Sequence, residues 1–357
     1  MAKKRADGRY QVSKTINGKR KFFYGTTRKA AIEAMEKYVN TNQACANFDD
    51  TISLNTWINI WLNLKEKTIT PATYQSYTGI INRYIRDKIG GVRLAEIKPN
   101  TLRYVFESMD RLSSRTISYT MTILGSILEQ AVKDDINPKN YMKNIDRPKQ
   151  VKVRHMVTLS VDEVKNFLSN ISNVEHHALF KLAFSTGMRR SELLGLRWSD
   201  IDFKKSNISI SQTALKIGST AVISNTTKTT SSKRIIAIDT ETLQELMKHK
   251  AVIDKRRIKT MNWINNNLVF PGIKGGPRCP DEVSKLCKKY ANLIGKPSFT
   301  MHGTRHTHAT LLIENGANMK AIQECLGHAS FQETMDTYSH VTPKMEDDIV
   351  ERISKIF

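Results

Sequence analysis

The sequence predicts a multidomain, mainly α-helical protein with small β-sheets: an N-terminal three-stranded sheet plus helix, a helical bundle, and a mixed α+β domain at the C-terminus. Three observations support this prediction. A chain of 357 residues is long enough for two or three domains. Strand-like segments concentrate near the N-terminus and between residues 208 and 238. Over most of the remaining chain, apolar residues recur at helical spacing.

The first domain is predicted over residues 1–45. Its two clearest strands run from Gly8 to Lys14 and from Lys19 to Tyr24. Asn17-Gly18 joins them, because both positions of this tight turn tolerate positive φ. A helix follows Gly25-Thr26-Thr27. The first forty residues hold eleven Lys and Arg against three Asp and Glu. Basic strands of this kind suit a DNA groove, although a solvated basic hairpin that binds nothing has the same pattern.

Residues 51–148 are predicted to form a compact helical bundle. Each of four helices has an apolar stripe, namely Trp57, Ile60, Trp61 and Leu64; Tyr74, Tyr77, Ile81 and Tyr84; Leu102, Val105 and Phe106; and Ile117, Met121, Leu124 and Leu128. Thr70-Pro71 and Pro99 mark helix starts, because Pro fits the first helical position. Ser113 or Ser114 caps the fourth helix, and Gly90-Gly91 breaks the second. The aromatic stripes are interpreted as core.

The third domain is predicted over residues 155–357 and mixes helices with strands. Helices are expected after the cap Ser160, over Ala178 to Phe184 with an end near Gly187, and over Glu192 to Leu196. Strands are expected at Ile208–Ser211, Thr220–Ile223 and Arg234–Ile238. Helices dominate the rest, apart from a short extended segment at Leu268-Val269-Phe270.

The charge balance points to a polyanionic partner. The chain contains 56 Lys and Arg against 34 Asp and Glu, a formal net charge of +22. Nucleic acid is the usual partner of so large a surplus, although a merely basic soluble protein has the same composition.

The chain lacks the marks of a membrane or secreted protein. No apolar run approaches the length of a membrane span, and Met1-Ala2-Lys3-Lys4-Arg5 lacks the apolar core of a signal peptide. The four cysteines form no CxxC pair and are expected to be reduced thiols: Cys45, Cys279, Cys287 and Cys325. These features predict a cytoplasmic protein without a membrane partner.

Four segments of the third domain carry residues suited to a phosphate site. They contain Arg189 after the turn at Gly187, Lys228 between two predicted strands, His302 with Arg305, and His328 with Tyr338 ten residues on. An Arg and a His three residues apart can face one anion, and a Tyr nearby could attack it. Arg189 also lies at a predicted helix start, where the helix dipole favours an anion.

In this order and spacing, the segments resemble the tyrosine recombinase (phage integrase) family. The matching pieces are TGMRRSELLGLRWSDID at Thr186–Asp202, the Lys228 hairpin, HGTRHTHAT at His302–Thr310 and LGHASFQETMDTYSHV at Leu326–Val341. The resemblance implies that residues 155–357 form the catalytic domain with a C-terminal tail. It also implies a core-binding domain at 51–148 and an arm-DNA-binding domain at 1–45.

The resemblance implies six catalytic residues: Arg189, Lys228, His302, Arg305, His328 and Tyr338. The two arginines, helped by His302 and His328, would clamp the phosphate, since Arg forks neutralise phosphate oxygens through bidentate hydrogen bonds. Tyr338 would be the nucleophile. A phenol has a pKa near ~10 and needs a base, for which His302 is the candidate. Lys228 would protonate the 5′-hydroxyl leaving group. The 3′-phosphotyrosine would store the bond energy, so no metal, ATP or other cofactor is expected.

Three assignments have alternatives. Arg190 could serve as the clamp in place of Arg189, although the family pattern places the clamp two residues after the Gly. Lys233 or Arg234 could replace Lys228, because the family often has Pro where this chain has Thr227. His302, His306 and His308 could suggest a metal site. However, the pair four residues apart lacks the Glu of an HExxH motif, and Arg305 between them would repel a cation.

The resemblance predicts an integrase that inserts and excises a phage or a conjugative element. The expected partners are double-stranded DNA at core and arm attachment sites, a homotetramer on that DNA, and accessory DNA-bending or directionality proteins. The slightly acidic tail from Val341 to Phe357 has an apolar helical stripe and is expected to contact a neighbouring subunit. The alternatives are a topoisomerase-like nicking-closing enzyme with the same tyrosine chemistry and a DNA-binding regulator without catalysis.

Overall fold

The structure is a computed structural model, and it describes residues 3–4, 7–16, 19–36, 51–149, 157–224 and 234–327. The chain divides into two compact units, Met1–Lys152 and Val153–Phe357. Among the described residues, no helix is long and apolar enough to cross a membrane.

The chain begins with a small antiparallel sheet of order β1-β2-β3, formed by Lys3–Lys4, Tyr10–Ile16 and Lys19–Gly25. Ile16 pairs directly with Lys19, and the predicted turn at Asn17-Gly18 lies outside the described residues. A helix, α1, spans 28–36. It packs tightly on the end of β3, because a Cβ on Gly25 would lie 2.4 Å from the Ala31 backbone nitrogen. The predicted three-stranded sheet with a helix is confirmed.

The rest of the first unit is a group of helices. They are α2 (Leu54–Glu66), α3 (Pro71–Ile81), α4 (Asp87–Ile89), α5 (Pro99–Glu107) and α6 (Ser114–Lys133), with a π-helical turn at Asn82–Arg86 between α3 and α4. Ser53, Thr70 and Ser113 cap three of them, since each hydroxyl accepts from the backbone N–H three residues on. Pro71 and Pro99 occupy the first helical position, as predicted.

The buried face of α2 differs from the predicted stripe. Trp57 and Trp61 are buried, but Ile60 and Leu64 are 40% and 49% exposed. The buried stripe also includes Leu54, Ile58 and Leu62. The tryptophans set the orientation, because Trp57 Nε1 donates to the Ile127 carbonyl at 2.9 Å and Trp61 stacks on Tyr77. The adjacent positions Ile58 and Leu62 then turn inwards instead of Ile60 and Leu64.

Gly90 ends the helical segment that begins with α3, and it lies against α2. A Cβ at this position would lie 2.3 Å from Asn55 Oδ1 and 2.6 Å from the Arg86 carbonyl oxygen. The Asn55 amide in turn accepts from Arg86 Nη1 at 3.2 Å. At the neighbouring Gly91, nothing lies within 4 Å of an added Cβ.

We therefore expect Gly90→Ala to lower the free energy of unfolding of the first unit by about 1–3 kcal/mol, because the methyl group would displace the Asn55 amide. Gly91→Ala provides the matched control and should leave stability unchanged or slightly raised, since Ala restricts the unfolded chain. Urea unfolding of both variants measures the difference. Equal stability of the two variants would contradict the packing described here.

The second unit mixes helices with two small sheets. Its helices are α7 (Val161–Ser169), α8 (Val174–Thr186), α9 (Arg190–Gly195), α10 (Thr240–Lys259), α11 (Pro280–Leu293), α12 (Met301–Glu314) and α13 (Met319–Leu326). Its strands are β4 (Ile201–Asp202), β5 (Asn207–Ser209), β6 (Thr213–Ile217), β7 (Thr220–Ser224) and β8 (Ile235–Ala237). The sheets have the orders β4-β5-β8 and β6-β7. The predicted mainly helical class with small sheets is confirmed.

Strand β6 was absent from the sequence prediction. It pairs with β7 through five residue pairs, from Thr213 opposite Ser224 to Ile217 opposite Thr220. Only Ala214 in this strand is buried, so its apolar pattern is weak and its extended form depends on the partner strand. The short extended segment at 268–270 is present, since Leu268 bridges Arg197 and Val269 donates to the Leu196 carbonyl.

The core of the second unit is centred on Phe167. Its ring packs edge-on against four other rings, those of Phe180, Phe184, Tyr290 and Phe299, at centroid distances of 5.1 to 6.1 Å. These contacts join α7, α8, α11 and the segment before α12 into one apolar cluster. Aromatic pairs of this geometry contribute beyond their buried area. The cluster therefore fixes the helices from which the polar site residues project.

Candidate active site

Helix α12 carries two of the predicted site residues, His302 and Arg305. The hydroxyl of Thr300 caps the helix by accepting from Gly303 N at 3.3 Å. Gly303 permits close packing, since a Cβ there would lie 2.7 Å from the Phe299 ring. The spacing of three residues places His302 and Arg305 on one face of the helix.

Arg305 is buried within the second unit, with 2% of its surface exposed. Its Nη1 donates to the Gly187 carbonyl at 3.0 Å, and its Nη2 donates to the Leu326 carbonyl at 2.7 Å. These two acceptors end α8 and α13, respectively. Arg305 thus fixes the C-terminal ends of two helices, α8 and α13.

Arg189 lies at the N-cap of α9, two residues after Gly187. Gly187 ends α8 with φ +60°, and a Cβ there would lie 2.6 Å from the His308 ring. Both facts favour glycine at this turn. Arg189 Nη2 donates to the Gly327 carbonyl at 2.9 Å, and its Nη1 donates to Glu192 Oε1 at 3.0 Å. About a third of the Arg189 side chain remains exposed.

Three arginines converge on the C-terminal end of α13. They donate to consecutive carbonyls: Arg234 Nε to Cys325 at 2.6 Å, Arg305 Nη2 to Leu326 at 2.7 Å, and Arg189 Nη2 to Gly327 at 2.9 Å. The last carbonyls of a helix have no partner within the helix and carry partial negative charge. We call the three side chains the arginine triad. The end of α13 therefore aligns three cations from three separate chain segments.

Glu192 contacts two members of the triad, Arg189 and Arg234, and is 3% exposed. It accepts from the Arg189 backbone nitrogen at 2.8 Å and from both Arg234 η nitrogens at 3.0 and 2.9 Å. Burial alone would raise the pKa of this carboxyl group. The hydrogen bonds and charge of Arg234, followed by those of Arg189, outweigh burial and lower the pKa of Glu192. Glu192 is therefore ionised at neutral pH, and it both caps α9 and holds two arginines.

His302 borders this group from the start of α12. Its ring packs edge-on against that of His306 at 4.7 Å between centroids. Although part of His302 is exposed, the atoms packed around its ring lower its pKa, and the charges of Arg305 and Arg189 lower it further. A neutral imidazole can accept a proton at neutral pH. This property suits a general base beside two cations.

A cavity of about 380 Å³ opens between α9, α11 and the start of α12. Its lining consists of Met188, Arg189, Arg190, Ser191, Ser284, Thr300, Met301 and His302. Arg190 does not join the triad, because its Nη1 donates to the Ser284 hydroxyl and to the Pro280 carbonyl. The cavity presents a cation and a neutral histidine to a small anion such as one phosphate.

The structure brings together three of the six predicted catalytic residues: Arg189, His302 and Arg305. The other three, Lys228, His328 and Tyr338, lie outside the described residues, as does the alternative Lys233. Arg234 is described, and it is buried with its Nε, Nη1 and Nη2 already donating. It is therefore poorly suited to act as the general acid.

The histidines of α12 do not converge on a common point for a metal. His308 Nδ1 contacts the Phe184 carbonyl at 2.8 Å, whereas His302 faces the cavity. Within the described ranges, no group of three or more His, Cys, Asp or Glu could hold a metal ion. Metal independence stays a prediction.

Sequence reasoning missed the contribution of Arg234 to this group. The sequence showed only that Arg234 is a basic residue directly before β8 and six residues after Lys228. The acceptor that defines its role is the end of α13, about ninety residues later in the chain. A contact of this length can be found only from the fold.

The family resemblance implies DNA cleavage with His302 as the general base, and on that basis we expect the acid limb of the cleavage rate to lie below the usual histidine range. The pKa of His302 is lowered, so the base form is present at pH 6.5 and is lost only as the pH falls further. The pH dependence of kcat/KM for DNA cleavage measures this, because it reports groups of the free enzyme. An acid limb above pH ~7 would contradict the lowered pKa, since an unperturbed His titrates near ~6.5.

Comparison with known protein families gives two matches. A model of the phage integrase family matches residues 158–345. A model of the phage integrase N-terminal SAM-like domain matches residues 53–108. The first match includes every predicted catalytic residue, and the second falls within the helices of the first unit.

Individual relatives are similar over almost the whole chain. The chain is 30% identical to a tyrosine recombinase XerC-like protein of Caldanaerobacter subterraneus subsp. tengcongensis, over 98% of this chain and 96% of the relative. It is 27% identical to the ICEBs1 integrase of Bacillus subtilis, over 99% of each protein. The fold resembles that of residues 82–397 of the Tn1549 transposon integrase in complex with a circular intermediate DNA. That match has a TM-score of 0.70 and 21% identity, and it covers 85% of this chain and 99% of the other.

Proposed function

Because the chain belongs to the phage integrase family, as its sequence motifs predicted, we propose that it is a site-specific DNA recombinase of a mobile element. It cuts and rejoins DNA through a 3′-phosphotyrosine intermediate during integration and excision. The observation that carries the proposal is the grouping of Arg189 and His302 at one cavity, with Arg305 held on the same helix end as Arg189.

The proposed catalytic steps are those that the family resemblance implies, and they are consistent with the chemistry of a phosphodiester. The Tyr338 oxygen attacks the phosphorus while His302 accepts the phenol proton. The bond from phosphorus to the 5′ oxygen breaks, and Lys228 protonates that oxygen. Arg189 and Arg305, with His328, neutralise the oxygens on which charge develops. The 3′-phosphotyrosine keeps the energy of the broken bond, so a second 5′-hydroxyl can reverse the steps without ATP or a metal.

Two duplexes must be held together for strand exchange. Each duplex is cut on both strands, so four strands need four tyrosines. We therefore propose a homotetramer on two core sites, with the tail from Val341 to Phe357 contacting a neighbouring subunit. Its apolar residues Ile349, Ile353 and Phe357 recur at helical spacing in the sequence, which supports a protein contact.

The N-terminal sheet is proposed to bind separate arm sites. Residues 1–45 are assigned to arm DNA, 51–148 to core DNA, and 155–357 to catalysis. Lys4 lies 5.9 Å over the Tyr10 ring and Arg20 lies 5.8 Å over the Phe22 ring, so cations and aromatic rings share this sheet. Two linked DNA-binding modules raise the effective concentration at the second site, which suits an integrase that bridges core and arm.

The proposed setting is the cytoplasm of a bacterial host, on its chromosome. Both a phage and a conjugative element are compatible carriers, and the full-length similarity to the ICEBs1 integrase favours a conjugative element. Accessory DNA-bending and directionality proteins are proposed partners, because arm sites reach the core only if the intervening DNA bends.

Recombination between paired sites tests this function. A plasmid carrying two attachment sites should be resolved into two circles by the purified protein together with a host extract. A plasmid with one site should show little relaxation when it is incubated with the purified protein alone. Relaxation of supercoiled DNA without site pairing would instead favour a topoisomerase-like enzyme. Specific DNA binding with neither product would favour a regulator without catalysis.

A further inference from the structure

We propose that Arg234 is a positioning residue for the phosphate clamp: it neutralises Glu192 and fixes the end of α13, so that Arg189 keeps its charge for DNA. The inference rests on the proposed function. It assigns a role to a side chain that is almost wholly buried within the second unit and that the catalytic steps above do not use.

The first observation is the placement of the Arg234 side chain, which is 7% exposed. Its Nη1 and Nη2 form a fork with the two Glu192 carboxylate oxygens at 3.0 and 2.9 Å. Its Nε donates in a different direction, to the Cys325 carbonyl at 2.6 Å. One guanidinium thus ties a carboxylate on α9 to the end of α13. Lysine could not reproduce this planar fork.

The second observation concerns charge. Glu192 alone would neutralise Arg189, which contacts it at 3.0 Å. Arg234 supplies a second cation to the same carboxylate, so the three groups together keep one positive charge. Arg189 is the exposed member and borders the cavity. The net positive charge of this group is therefore available at Arg189, where an anion can approach. If Glu192 were paired with Arg189 alone, the pair would have no net charge to offer an anion.

The third observation is the close approach of Gly327 to Arg234. Gly327 ends α13 with φ +66°, and a Cβ there would lie 3.1 Å from Arg234 Nη1. The backbone thus turns directly over the guanidinium. The Gly327 carbonyl then accepts from Arg189 at 2.9 Å. Displacement of Arg234 would therefore displace the acceptor that orients Arg189.

The fourth observation is how Arg234 is anchored. Its carbonyl accepts from Ile210 N at 2.9 Å, and the next residue, Ile235, pairs with Ser209 in the sheet. The backbone at Arg234 is therefore held by β5. In sequence, Arg234 directly follows the segment that contains Lys228. Arg234 thus links the sheet that contains β5 to α9 and α13.

A second cluster in the same unit has similar ion pairs but a different context. Buried Glu175 accepts from Arg278 Nη1 at 2.6 Å and from Arg256 Nη1 at 2.8 Å. Arg278 also pairs with Glu282 at 3.5 Å, Arg256 also donates to the Pro271 carbonyl, and neither arginine lines the cavity beside Arg189. Arg278 is therefore a matched control for Arg234, because each shares one buried carboxylate with a second arginine.

The test compares Arg234→Gln, Arg278→Gln and the wild type. For each protein, thermal unfolding, the Kd for core-site DNA and the single-turnover rate on a nicked suicide substrate are measured. We expect Arg234→Gln to bind DNA within about twofold of wild type and to cleave about 10- to 100-fold more slowly, since small misplacements of a reacting group cost this much. Arg278→Gln, which also breaks a buried ion pair, should lose stability and cleave at the wild-type rate.

A double variant separates positioning from simple stability. Glu192→Gln removes the carboxylate charge that Arg234 neutralises. If Arg234 acts as proposed, Arg234→Gln with Glu192→Gln should cleave faster than Arg234→Gln alone, although the second change adds no stabilising contact. A purely structural role predicts a further loss instead.

Several outcomes would overturn the inference. They are wild-type cleavage by folded Arg234→Gln, an equal loss of rate in Arg278→Gln, and a slower double variant. If Arg234→Gln does not fold, Arg234→Lys takes its place, because it keeps the charge and loses the fork. Wild-type cleavage by folded Arg234→Lys would equally refute the role assigned to the fork. If the wild type itself forms no covalent adduct, the proposed function fails, and that result is distinct from a failure of Arg234 alone.

Discussion

Arg189→Ala is expected to lower the rate of covalent DNA cleavage by about 10²- to 10³-fold, since removal of one donor to a transition-state oxygen has this effect. Arg189 is the member of the arginine triad that borders the cavity and remains partly exposed. In the proposed mechanism, its loss removes a cation at the point where charge develops on the phosphate. Single-turnover cleavage of a nicked core-site substrate measures the rate.

Arg190→Ala is the neighbouring control for this prediction. Arg190 also lines the cavity, but its guanidinium is engaged by Ser284 and the Pro280 carbonyl rather than by α13. Its replacement should change the cleavage rate by less than about tenfold, because it leaves the clamp geometry intact. If Arg190→Ala cleaved more slowly than Arg189→Ala, Arg190 and not Arg189 would be the clamp residue.

Glu192→Ala is expected to lower the free energy of unfolding of the second unit by about 3–5 kcal/mol, because it leaves a buried charge without its partner. That charge is Arg234, which is 7% exposed and loses both contacts of its fork. The change also removes the carboxylate that caps α9 at Arg189 N. Urea unfolding at neutral pH measures the loss.

Glu175→Ala provides the comparison. Its partners Arg278 and Arg256 are 13% and 28% exposed, so water can solvate them better after the change. We therefore expect a smaller loss of stability than for Glu192→Ala, and normal cleavage at temperatures where the variant stays folded. A Glu192→Ala protein as stable as the wild type would contradict the support assigned to this carboxylate.

Much of the fold followed from local signals. Thr70 and Pro71 marked the start of α3, and Gly187 marked the end of α8. Of the two caps expected for α6, Ser113 and Ser114, the structure shows Ser113. Each of these residues satisfies a local backbone need. Such needs act within one helical turn and depend little on the remaining chain. Helix starts and ends can therefore be predicted from the sequence before any packing is known.

Features that depend on a distant partner were harder to predict. Strand β6 was missed because its extended form is defined by pairing with β7. Ile60 and Leu64 were placed in the core, although the contacts of Trp57 and Trp61 turn Ile58 and Leu62 inwards instead. Periodicity shows that a helix has an apolar face, but neighbouring stripes on one helix can both qualify.

The candidate site also has a part that could be predicted from local residues and a part that depends on distant partners. The residue types and spacing of Arg189, His302 and Arg305 indicated a phosphate site. The fold holds Arg189 and Arg305 at one helix end, and it places Arg189 and His302 at one cavity. Arg234 was considered only as an alternative acid. Its role depends on the α13 carbonyls and on Glu192, neither of which is near it in the chain.

The central claim is that Tyr338 attacks a DNA phosphodiester at a clamp formed by Arg189 and Arg305. The most direct measurement incubates wild type and Tyr338→Phe with a nicked core-site duplex that releases a short 5′-hydroxyl strand on cleavage. The wild type should form a denaturation-resistant protein–DNA adduct, with the 3′ phosphate on the peptide that contains Tyr338. Tyr338→Phe should bind the duplex and form no adduct. Equal adduct yields from both proteins, or a 3′ phosphate mapped to another residue, would contradict the claim.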